Sequence, residues 1–165
     1  MQIEIRLILQ FILLLLVQIF VLDNIQFLGF INPMIYVLFI LSLPVKFPKW
    51  LSLIIAFIMG LIIDIFSNTL GMHAFATVFL AFLRIPLTNL LLSFDDGVNP
   101  TPSFKTFGVS NYLKYVAVCV FIHHFVLFSI ESFSFSSFIF MLYRIILSSV
   151  VTILLILVVQ SFKSK

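Results

Sequence analysis

The chain has 165 residues, 63% of them hydrophobic, and a mean hydropathy of +1.31, a composition that points to a membrane protein and excludes an ordinary water-soluble domain. Net charge is only +3 with the basic residues dispersed, which argues against a nucleic-acid surface, and the single Cys119 excludes an intramolecular disulfide. A membrane helix needs roughly 20 apolar residues to cross about 30 Å of hydrocarbon, so six such spans leave no room for a soluble domain.

The first span is expected over 7–22. It is rich in Leu and Ile and reads as an uncleaved helix. Arg6 is the only cation before it, Glu4 dilutes that charge, and the stretch from Val21 to Phe27 offers no small-residue cleavage site. Asp23, Asn24 and Gln26 follow as the first outside loop. A second span is expected over 27–45, with Asn32 as N-cap and Pro33 in the first helical turn. Pro44 and Pro48 bracket its inner end, with Lys46 and Lys49 beside them and Trp50 at the interface.

The third span, 50–66, carries Ser52, Ala56 and Gly60 at four-residue spacing, and Asp64 continues the row. Small residues on one face let a second backbone come close, so this row predicts helix packing and directs Asp64 away from lipid. Ser67 to Gly71 is a turn, and Gly71 is grouped with the packing residues. The fourth span, 71–85, carries Ala74, Thr77 and Ala81, and ends at Arg84 and Pro86. Two readings stay open there. In one, residues 86–94 form a short surface helix with Arg84 at the cytoplasmic interface; in the other, the span continues to Ser93 and Arg84 snorkels.

Residues 95–110 read as a mobile cytoplasmic loop rich in turn formers. The fifth span is expected over 111–132, with His123, His124 and Glu131 in its outer half. Ser134 to Ser137 would be the last outside loop. The sixth span, 138–159, presents Arg144, Ser148 and Thr152 as a polar stripe.

The charges orient this layout. Arg6, Lys46, Lys49, Lys105, Lys114, Lys163 and Lys165 fall at the termini or on the second and fourth connections, and the other connections carry no Lys or Arg. By the positive-inside rule both termini are expected in the cytoplasm.

Charge inside a span costs at least about 2.5–3.5 kcal/mol at mid-depth, which singles out Asp64 and Arg144. Similar depths predict an ion pair between them that extends to Ser148 and Thr152, serving as a helix lock, a ligand or headgroup site, or a proton relay. His73, His123, His124 and Glu131 form an outer-half polar cluster. It falls short of the convergent ligand set that zinc requires, so polar packing is expected there and no metal. No nucleophile–base pattern and no glycine-rich phosphate loop occurs, so neither a catalytic residue nor a cofactor is expected.

The residues Gly60-Leu-Ile-Ile-Asp64, Gly71-Met-His-Ala-Phe75 and Leu83-Arg84-Ile-Pro86 resemble the bacterial rod shape-determining MreD family. So do His123-His124 with Leu127, Phe128 and Glu131, and Arg144 with Ser148 and Thr152. The resemblance covers most of the chain. It implies an all-α integral membrane protein of six transmembrane helices, with a fold similar to the substrate-binding subunits of energy-coupling-factor transporters. It further implies a non-enzymatic, multi-pass component of the bacterial inner membrane that serves cell elongation. The partners it implies are an MreC-like bitopic protein, an MreB-like actin homologue, and the peptidoglycan glycosyltransferase and transpeptidase of elongation, besides membrane lipids. The rival reading is a vitamin-binding transporter subunit. Such subunits dock through small residues on the first span, and residues 7–22 contain no Ala or Gly.

Overall fold

The computed structural model describes residues 2–25, 29–93, 98–132 and 138–164. Gln26 and Phe27, residues 95–97, the 134–137 loop and Lys165 lie outside the described residues.

Five helices are long and apolar enough to cross a membrane, which makes the chain an all-helical, multi-pass membrane protein. Helix α1 is Gln2–Val17, and it is continued by one π-helical turn over Gln18–Leu22. The others are α3 (Lys49–Ser67), α4 (Met72–Leu91), α5 (Phe104–Glu131) and α6 (Phe138–Ser164). Their outward faces are apolar, including Leu13, Phe57, Phe75, Phe121 and Leu154. That pattern is inverted relative to a soluble bundle, as a lipid surround demands. Phe75 stacks on Phe79 and Phe121 on Phe125 along these faces.

The expected second span is not one helix. Between Ile31 and Val45 only Val37–Leu41 (α2) is α-helical, and the whole stretch lies inside the bundle. It runs from the end that holds Asp23 and Ser67, here the distal end, to the end that holds Lys46 and Pro100, the proximal end. From Pro33 to Pro44 a helix would rise only about 16 Å, half the hydrocarbon thickness, so the prolines leave no room for a spanning helix.

Helices α3 and α4 pack most closely. A Cβ at Gly60 would sit 2.4 Å from Ala74 Cα, so only glycine permits this approach. Ser52, Ala56, Gly60 and Asp64 are all buried along α3. Gly71 has a different role from packing: nothing lies within 4 Å of where its Cβ would be, and its φ of +79° turns the chain into α4.

Three further expectations are corrected. Helix α4 runs unbroken through Pro86 to Leu91, with no separate surface helix. Thr88 Oγ1 donates to the Arg84 carbonyl, a side-chain contact of the kind that supports a proline-bearing membrane helix. Arg84 does not snorkel outward, since it is enclosed by protein and only 1% exposed. The 98–110 part of the expected mobile loop is anchored: the Val45 amide donates to Pro100 O at 3.0 Å, and the Lys46 amide to Asn99 Oδ1 at 2.7 Å. Helix α5 starts at Phe104 behind a Ser103–Thr106 capping box and breaks at Gly108 (φ 74°). Beyond that glycine the regular helix begins close to the expected Asn111.

Replacing Gly60 by Leu should deplete folded protein in membranes and lower its melting temperature in detergent, because α3 and α4 must separate; overpacking of this kind costs about 1–3 kcal/mol or more. Leu13→Ala, at a position 61% exposed to the lipid side, should be nearly neutral. Leu14, only 5% exposed, belongs to the core and should respond like Gly60. Equal thermal profiles for the Gly60 and Leu13 variants would contradict the close-contact account.

Candidate functional site: a polar cage around a buried extended segment

Residues 32–35 lie inside the bundle without helical hydrogen bonds, so their backbone groups need other partners. Side chains supply them. The Asn32 amide donates to Ser148 Oγ at 3.0 Å, and the Met34 amide to Thr152 Oγ1 at 2.9 Å. The Ile35 amide donates to Gln18 Oε1 at 2.9 Å, while Gln18 Nε2 donates to Pro33 O at 3.1 Å. Pro33 has no amide hydrogen, so every N–H of the stretch is paired. Ser148 and Thr152 sit four residues apart, one helical turn on the same face of α6, and meet amides two apart on this non-helical stretch. The π turn after Val17 places Gln18 inward, and Gln18 Nε2 also holds Asp23 Oδ1 at 2.7 Å.

Behind this layer stand the histidines. His124 Nδ1 is 2.9 Å from Val120 O, a contact that requires the proton on Nδ1. Its Nε2 then accepts from Thr152 Oγ1 at 3.2 Å. The chain of donors is therefore directional: Met34 N–H to Thr152, Thr152 O–H to His124, His124 N–H to the backbone of α5. His123 Nε2 lies 2.9 Å from Tyr36 Oη, and the Tyr36 ring sits 5.4 Å from His123 and 6.2 Å from His73. His73 and His123 thus flank Tyr36, and the His124 ring lies 5.6 Å from that of His123. Among the described residues no group of His, Cys, Asp and Glu could hold a metal ion.

Asp64 has a separate task. Its carboxylate accepts from the His73 amide at 3.0 Å and the Ala74 amide at 2.9 Å, which are first-turn donors of α4. Thr69 Oγ1 donates to it at 2.5 Å, and His73 Nδ1 lies 3.1 Å away. A carboxylate at a helix N-terminus meets unpaired amides and the positive end of the helix dipole, so α3 is fastened to the start of α4.

The expected Asp64–Arg144 pair does not form. Arg144 instead pairs with Glu131 at 3.1 Å and lies over the Phe128 ring at 4.5 Å. Three residues separate Ser148 from Thr152 and Arg144 from Ser148, but only the two hydroxyl residues point to the cage. Glu131, paired with Arg144, shares only the distal cavity with His73 and has no described contact with His123 or His124. At the proximal end Arg84 closes the cage: its Nη2 donates to the carbonyls of Leu43 and Pro44, where α2 has ended. The Pro44 carbonyl also accepts from the Phe47 amide, so the guanidinium joins a turn that follows the end of α2.

Above the cage the distal end opens into a cavity of about 280 Å³, lined by Asp23, Asn32, Thr69, His73 and Glu131 together with apolar neighbours such as Met34. Sequence reasoning did not single out Gln18, Tyr36 or Thr69. The signal for Gln18 was present, since it and Gln10 are the two amides within the apolar run of the first helix, a position that in lipid calls for a polar partner.

The geometry sets the outcome of two double-mutant cycles. Asp64→Asn with Arg144→Gln should be additive within about 0.5 kcal/mol, because the two side chains share no partner. Glu131→Gln with Arg144→Gln should show coupling, read as thermal stability in detergent. Coupling in the first cycle, or strict additivity in the second, would contradict the assigned pairs.

Comparison with family models, with curated proteins and with solved structures finds no match to this chain, so its function is argued from its own residues.

Proposed function

We propose that the chain is a non-enzymatic membrane scaffold of the bacterial cell-elongation machinery, of the MreD type. In this reading it resides in the cytoplasmic membrane with both termini inside, and the buried segment from Ile31 to Val45 makes the sixth crossing. The observation that carries the reading is the engagement of the internal polar groups. Asp64, His124, Ser148, Thr152 and Arg84 all hold backbone groups in place. A group committed to an amide or carbonyl of the fold is a poor acid, base or nucleophile, because reaction would release that contact. What the bundle offers instead is surface: the lipid-facing helix flanks and the proximal face. The partners proposed are an MreC-like bitopic protein and, through it, the MreB-like filament and the glycosyltransferase–transpeptidase pair.

The distal cavity favours a second reading, a small-molecule binding subunit of an energy-coupling-factor-type transporter. Its mouth is polar, it lies between the distal ends of the first helix, α3, α4 and α5, and its volume of about 280 Å³ approaches the lower range of ligand pockets.

Two experiments separate these readings. Depletion in a rod-shaped host should give round cells and disperse the MreC-like protein from its normal sites. Pull-down of the intact protein from detergent extracts should recover that protein, and the exposed-face variant Phe121→Ala/Phe125→Ala should test whether the α5 flank is the docking face. Recovery of a transporter ATPase module or of a bound vitamin, with no elongation component, would replace the scaffold reading by the transporter reading.

A further inference from the structure

A second cavity of about 420 Å³ lies at the proximal end, away from the polar cage. Arg6 from α1, Lys105 from the start of α5 and Lys163 from the end of α6 all line it, and no carboxylate is among its described lining residues. Three cations from distant parts of the chain thus converge on one hollow. Their described partners are neutral: Lys163 Nζ donates to Gln10 Oε1 at 3.2 Å, and the described ion pairs, His73–Asp64 and Arg144–Glu131, lie elsewhere. Gln10 Nε2, on the same wall, is a buried donor with no partner. Like charges gathered around an unpaired donor are stabilised when an anion accepts from them.

The surroundings indicate what carries that anion. Leu7, Pro44 and Pro102 give the hollow an apolar side. The faces beside it on α1 and α6 expose Leu9 and Phe162 outward. A free phosphate has no use for such a wall, whereas a glycerophospholipid places its phosphate among the cations and its acyl chains along the α1 and α6 flanks. The other proximal basic pair, Lys46 and Lys49, lines a separate and more open hollow with Asn89 and Ser93.

We infer that the Arg6–Lys105–Lys163 hollow is a specific site for the phosphate of an anionic phospholipid at the proximal face. The site ties the ends of α1 and α6 to the start of α5 and makes the stability of the bundle depend on lipid charge.

The test uses the full chain purified in detergent, with native mass spectrometry in an equimolar mixture of phosphatidylglycerol and phosphatidylcholine of matched chains. The wild type should retain one phosphatidylglycerol in preference to phosphatidylcholine. Lys105→Gln, an exposed change, should lower that retention about fivefold, and Arg6→Gln/Lys163→Gln by more, as expected for about a kilocalorie per charge near a headgroup. Lys46→Gln/Lys49→Gln should retain the lipid as the wild type does. Melting temperature should rise on adding phosphatidylglycerol to the wild type and stay level in the Lys105 variant, which separates loss of the site from loss of folding. Equal retention of both lipids, or a Lys46/Lys49 variant that loses as much as the Lys105 variant, would overturn the inference. Displacement of the lipid by millimolar inorganic phosphate would overturn the lipid source and assign the hollow to soluble phosphate.

Discussion

A backbone amide buried without a helical partner in an apolar bundle has neither water nor a sheet edge to turn to, and leaving it unpaired costs several kcal/mol in a hydrocarbon setting. That constraint organises this molecule. The stretch from Asn32 to Ile35 is not helical, and the prolines at 33 and 44 leave too few positions between them for a spanning helix. Its amides are therefore met by Ser148 and Thr152 from α6 and by Gln18 from α1. Those side chains are in turn held by His124 of α5 and by Asp23 at the distal turn. Arg84 of α4 takes the carbonyls at the far end. Each long helix except α3 thus donates a polar side chain to one strand of chain, and helices that lack a hydrophobic drive toward each other in lipid gain a shared partner.

Helix α3 is joined by other means. Gly60 admits the backbone of α4 at a distance that no larger residue allows, and Asp64 fastens the same two helices at their distal turn. The hairpin is therefore held by contact along its length and by charge at its end. The two devices are consistent with each other, since the carboxylate reaches the first amides of α4 only when the helices lie this close. The charge–dipole contact also lets an ionised residue sit within the apolar bundle without a cationic partner at Arg144.

Much of the architecture was legible in the residues. Hydropathy located the five long helices, though the start of α1 and of α5 and the end of α4 and of α6 lie beyond the expected bounds, and the spacing of Ser52, Ala56 and Gly60 marked the face of α3 that is buried. Residues 27–45 misled because a short apolar run reads equally as helix or as buried coil. The weighing of Pro33 against Pro44 as helix limits was the available correction. The Asp64–Arg144 pairing failed for another reason: depth and charge do not specify azimuth, and a helix N-terminus is an anion's partner that no charge count reveals. The enclosure of Arg84 was not legible because its partners, the carbonyls of Leu43 and Pro44, come within reach only once α2 is known to stop before them. Gln18 faces inward through a π turn, a local widening with no sequence signature of its own.

The non-helical segment 32–35 is held as firmly as the helices around it, by side chains in place of helical backbone bonds. Amide hydrogen exchange of the full chain in nanodiscs, resolved at Met34 and Ile35 and repeated on Thr152→Val, tests it most directly. The account predicts that both amides are protected to the degree of mid-α3 amides in the wild type, and that Thr152→Val releases Met34 while α3 stays protected. Exchange of Met34 and Ile35 at the rate of an open loop in the wild type, or no change at Met34 in the variant, would contradict it.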